Sequence, residues 1–151
     1  MFKSFFKNKN LDQKNNELNS DDKIHSITCI LIEAALVDEN FGKDEREIII
    51  KILKKQFELE DTVNINAIVD KAIKSYDDSS DLITHTRKIK ENWSIEKRIE
   101  VIEMLWKVCL VDGVLEPYED MLIRRVSGLI YVDDKNRNIA KNNALRNLNE
   151  K

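Results

Sequence analysis

The chain has 151 residues, a single-domain length able to bury a sizeable core. Charged residues make up 35 % and apolar residues 42 %, with three glycines and one proline, a helix-favouring composition that leaves little turn chemistry for β-hairpins. A formal net charge of −3 argues against a nucleic-acid partner. No apolar run approaches the ~18 residues of a membrane span, so no transmembrane segment is expected.

In chain order, residues 1–20 read as a flexible leader ahead of a folded domain over residues 21–151. The opening MFKSFFKNKN carries Phe2, Phe5 and Phe6 among Lys3 and Lys7 but has no apolar core of a secretory signal. The following KNKNLDQKNNELNS is polar and aperiodic. The alternative for this tip is peripheral contact with an anionic membrane surface or a partner groove.

From Asp21 the apolar residues keep helical spacing. Ser20, Asp21 and Asp22 offer N-caps for a first helix reaching about Asp38, with Ile27, Leu31, Ala34 and Ala35 inside. A second helix from about Asp44 carries Ile48, Ile49, Ile52, Leu53 and Phe57, and a third over about Ile65 to Tyr76 has Ile68, Val69, Ala72 and Ile73 on one face. Leu82, Ile83, Thr86 and Ile89 mark a shorter fourth. Ser94 and Lys97 bracket the start of a long fifth, ending near Asp112. A sixth runs from Pro117 to about Tyr131, and a seventh from about Asp133 holds Ile139, Ala144, Leu145 and Leu148. No stretch alternates with period two long enough for a sheet, so the expected fold is all-α, a bundle of about seven helices.

A shift of ~74 residues superposes two stretches of the chain. Leu36-Val37-Asp38 falls on Leu110-Val111-Asp112, Glu45 on Glu119, Ile48 and Ile49 on Leu122 and Ile123, and Ile52 on Val126. Gly42, Gly113 and Pro117 sit in the two loops and mark them as tight helix-helix turns. The expectation is a pseudo-twofold repeat of helix-turn-helix units, with the first and fifth helices packed centrally.

An apolar helix ending in Val111-Asp112-Gly113, a hydrophobe two residues on at Leu115, an acidic turn and then Glu119 opening the next helix resembles the TerB family, the tellurite-resistance group to which the N-terminal domain of the DjlA co-chaperone is also similar. The resemblance spans roughly residues 22–147. Glu39 departs from it, standing where the second copy has Gly113. The resemblance implies an all-helical domain, an association with divalent metal through acidic turn residues, and no established catalytic reaction.

The residues themselves leave two readings of the turns open. In the structural one, Asp44 with Glu47 forms a capping box, Pro117 takes the first helical position, and Glu45 and Glu119 sit at helix N-termini where negative charge is favoured by ~0.3–1 kcal/mol. Asp38 and Asp112, unfavourable at helix C-termini, then serve as Asx-turn acceptors. In the other, Asp38 with Glu45, and Asp112 with Glu116 and Glu119, crowd oxygens that suit a hard cation such as Ca²⁺ or Mg²⁺. Zn²⁺ is the third candidate ion. An EF-hand is excluded, because its glycine position is Lys43 and its closing glutamate position is Ile49.

The remaining chemistry-bearing residues read structurally. Cys29 and Cys109 lack a CxxC or Cys/His neighbour that would suggest zinc or a disulfide framework, and read as buried free thiols of a reducing compartment. His25 and His85, far apart in sequence, read as boundary histidines. Trp93 and Trp106 are expected to anchor the core around the fifth helix. Arg124 and Arg125 read as a solvated face. No nucleophile–base pair is visible. The functional expectation is a cytoplasmic, stress-linked, non-enzymatic domain with weak divalent-cation binding at its acidic turns and a protein partner. The alternative is a metal-independent protein-interaction module.

Overall fold

The computed structural model describes residues 20–36, 42–60, 62–78, 82–111 and 113–149. They form seven helices and, among the described residues, no strand: α1 (Ser20–Leu36), α2 (Lys43–Phe57), α3 (Thr62–Asp78), α4 (Leu82–Asn92), α5 (Ile95–Cys109), α6 (Pro117–Leu129) and α7 (Asp134–Asn149). Of the leader expected over residues 1–20, residues 1–19 lie outside the described residues, and Ser20 opens α1.

α1 is the buried axis. Ile24, Ile27, Ile30, Leu31, Ile32, Ala34 and Ala35 are all buried, so the helix is apolar nearly all round. Ser26 and Thr28 are buried with them, and the Thr28 hydroxyl donates to the Ile24 carbonyl one turn back at 2.7 Å. A helix of that kind needs neighbours on every side, and α1 packs on α2, α3, α4 and α5. α5 is the second axis. It buries Val101, Ile102, Met104, Leu105, Trp106, Val108 and Cys109, and packs on α1, α2, α6 and, most extensively, α7.

The start of α5 follows the expected chemistry, since the Ser94 hydroxyl accepts from the Lys97 N–H at 3.3 Å. Polar ties then fix the outer helices. The Arg46 guanidinium of α2 donates to Asn66 Oδ1 and pairs with Asp70 Oδ1 on α3 at 2.7 Å. Arg98 joins two helix ends, donating to the Trp93 carbonyl at 3.1 Å and the Ile130 carbonyl at 2.8 Å.

The repeat survives as helix order. α1 packs on α3 as α5 packs on α7, but α2 also packs on α3 while the matching pair, α6 and α7, is not a principal contact. A twofold relation between the halves does not follow from this pairing.

Three apolar positions differ from expectation. Ile83, Ile139 and Leu145 are exposed. α7 instead turns Arg137, Ala140 and Ala144 inward, with Leu148 half-buried. The two alanines let the helix sit close to α5, and the Arg137 side chain is accommodated by its ion pair with Asp134 at 2.7 Å.

Candidate functional site

The two acidic turns share one device, an N-terminal helix cap closed by the glutamate three residues on. In the first, Gly42 is the N-cap of α2 in an extended conformation, and Glu45 Oε1 accepts its N–H at 2.8 Å. In the second, Glu116 is the N-cap of α6, Pro117 takes the first helical position, and Glu119 Oε1 accepts the Glu116 N–H at 2.9 Å. The matching glutamates of the repeat, Glu45 and Glu119, therefore do the same work at the same register. The expected box between Asp44 and Glu47 is not the one formed. α2 begins a residue earlier, at Lys43, and Gly42 takes the N-cap place.

The second turn is the more tightly built. Gly113 donates to the Leu110 carbonyl at 2.9 Å and has φ +84, a left-handed value that an L side chain rarely adopts. Glu119 is only 7 % exposed, a buried carboxylate compensated by the helix N-terminus and the cap N–H. Asp120 on the next position pairs with Arg124 at 2.8 Å. Arg125 is exposed.

Of the five residues expected to hold a cation, Glu45, Glu116 and Glu119 are thus placed at helix starts, Glu116 as the cap residue and the other two as cap acceptors. Asp38 and Asp112 lie outside the described residues, as do Glu39 and Asn40. Among the described residues no group of three His, Cys, Asp or Glu side chains is set to hold a metal ion. Beside the second turn an apolar surface emerges from Val114, Tyr118 and Met121, exposed by 56, 37 and 67 %.

The caps make a quantitative prediction. Glu119→Ala removes a charge-assisted hydrogen bond and a favourable dipole contact, and is expected to cost about 1.5–3 kcal/mol in urea unfolding. Glu119→Gln keeps an acceptor oxygen and is expected to cost under ~1 kcal/mol. Equal losses from both variants would show that the acceptor oxygen does not hold the turn.

One cluster escapes the sequence reading. His25 and Cys29 are one turn apart on α1, and the thiol lies 3.4 Å from His25 Nε2. The ring of His85 from α4 stands edge to face on His25, centroids 5.8 Å apart. The His25–Cys29 spacing of four was visible in the sequence, whereas His85 joins only through the packing of α4 on α1. This thiol is no activated nucleophile: burial pushes it up to about 11, against smaller lowering effects from Ser75, Lys71 and Lys88.

The family model described as Tellurite resistance protein TerB covers residues 25–142, from α1 into α7. No curated protein matches the chain, and no solved structure does.

Proposed function

This chain belongs to the TerB family, and from that premise we propose that it works without catalysis, as a binding domain whose second acidic turn takes up a divalent cation weakly. The observation that carries the reading is Glu119. Its carboxylate is buried and held in orientation by the Glu116 N–H, so little side-chain entropy remains to be lost on ligation. Glu116, the cap residue, supplies a further oxygen, and Asp112, three positions past the end of α5 in sequence, is the other candidate ligand. Glu45 of the first turn has Gly42 where the second has Glu116, one carboxylate fewer at the cap position, so the first turn is the weaker site.

Thermal melts with EDTA, Mg²⁺, Ca²⁺ or Zn²⁺ test this on the parent chain and on Asp38→Asn, Asp112→Asn and the double variant. Cation at ~100 times Kd adds about 2.7 kcal/mol, several degrees in a domain of this size. Asp112→Asn is expected to remove most of the cation response while leaving the cation-free midpoint level or raised. A parent chain indifferent to millimolar cation removes the metal reading.

A second reading is favoured by Val114, Tyr118 and Met121. This exposed apolar surface beside the turn suits a metal-independent protein contact, with the acidic turns then serving only as caps. The stress role and cytoplasmic setting expected from the family accompany either reading as proposals.

A further inference from the structure

α1 and α4 meet through two imidazoles. His25 on α1 and His85 on α4 stand edge to face, ring centroids 5.8 Å apart. One turn along α1, the Cys29 sulfur lies 3.4 Å from His25 Nε2. Both rings are half-buried, and Cys29 is buried. The pair therefore joins two packed helices at a place the acidic turns do not use.

Neutral and protonated rings serve that contact differently. A neutral imidazole offers the thiol, held protonated by burial, an acceptor nitrogen. An imidazolium has two N–H donors and no acceptor. Two imidazolium rings at this separation also repel across a partly desolvated contact. The other charged groups that act on His25 do not offset this. Lys71 on α3 and Lys88 on α4 add positive charge, and Asp22 on α1 acts less than either.

α4 is the element that such a change can move. It has 11 residues and buries Leu82, Thr86 and Ile89, against seven buried side chains on α5. Its main support is α1, with α6 a lesser one. A short helix with few buried side chains opens at lower cost than its neighbours.

We propose that the His25–His85 pair is a proton-sensitive latch between α1 and α4. It holds the helices together while the rings are neutral. Protonation in mildly acidic conditions loosens α4 and uncovers the α1 surface beneath it.

Burial first, then Lys71 and Lys88, holds His25 below its ordinary value of 6.5. As pH falls, the unfolded chain therefore takes up this proton before the folded one. The stability contributed by the neutral ring is fully present above pH ~6.5 and is lost as pH falls to the lower folded value.

The test uses the full chain, whose two histidines give two imidazole NMR signals, assigned with His25→Gln and His85→Gln. His25 is expected to titrate below 6.5. Amide hydrogen exchange, corrected for its intrinsic pH dependence, is compared at pH ~7.5 and pH ~5, either side of the histidine range. Protection in α4 is expected to fall roughly tenfold more than in α5, the order of the repulsion between unit charges about 6 Å apart in a half-solvated contact. His25→Gln should abolish this difference and His85→Gln should reduce it, with circular dichroism confirming the fold of each variant. Should either variant fail to fold, the titration and exchange of the parent chain still decide. A His25 value at or above 6.5, an even loss of protection across the bundle, or a selective α4 loss that persists in both variants overturns the latch.

Discussion

Neither half of the chain is expected to fold alone. A fragment ending at Asp78 keeps α1, α2 and α3 but strips α1 of α4 and α5, exposing part of a helix whose Ile27, Ile30, Leu31 and Ile32 have no exposed surface in the whole domain. A fragment starting at Leu82 leaves α5 without α1 and α2, and α4 without its main support on α1. Each large apolar side chain returned to water costs about 1.5–3 kcal/mol, so a handful of them is comparable to the ~5–15 kcal/mol that holds a whole domain folded. Both fragments should show weak helical signal and no cooperative melt by circular dichroism, while the intact chain melts in one transition. A cooperative transition in either fragment would show two independent units and would contradict a core shared through α1 and α5.

Trp106→Ala is expected to be among the most damaging single substitutions, at about 3–5 kcal/mol. The indole sits on α5 at 2 % exposure, and Lys141 of α7 lies over its ring at 5.1 Å, so truncation opens a cavity and loosens the α5–α7 contact together. Its Nε1 is buried with no hydrogen-bond partner among the described residues. Trp106→Phe therefore removes an unsatisfied donor along with some volume, and should cost much less than the alanine change. Trp93→Ala should cost less than Trp106→Ala, because Trp93 is half-buried against Phe57, ring centroids 6.2 Å apart. Urea unfolding of the three variants gives the order directly. A Trp106→Ala loss below ~1 kcal/mol would mean that the site collapses around the cavity and that the core is not packed as described.

The helix order was legible because apolar spacing of three and four persists from α1 to α6, and because Gly42, Gly113 and Pro117 punctuate a chain poor in such residues. Legibility fell where one face is decided by close approach. In α7, Ile139 and Leu145 are strongly apolar yet exposed, while Ala140 and Ala144 are buried, since small side chains let this helix and α5 near each other. The first cap was misplaced from Gly42 to Asp44 because a glycine N-cap offers no side-chain oxygen to recognise. Glu45 and Glu119 were found at helix starts, as expected, and Ser94 and Pro117 took their expected places. The His25–His85 pair was invisible because the two residues lie 60 positions apart and meet only through the packing of α1 on α4. For Asp38 and Asp112, the readings of turn acceptor and cation ligand stand as the sequence left them.

Backbone amide NMR during a Ca²⁺ titration of the full chain tests the central functional claim most directly, because it reports where a cation acts as well as whether it binds. The expected result is a saturable shift concentrated at Gly113, Glu116, Glu119 and Asp120, a smaller response at Gly42 and Glu45, and loss of the larger response in Asp112→Asn. Amides at the second turn that stay still to millimolar Ca²⁺, or shifts centred elsewhere in the bundle, would contradict it and leave the two glutamates as helix caps.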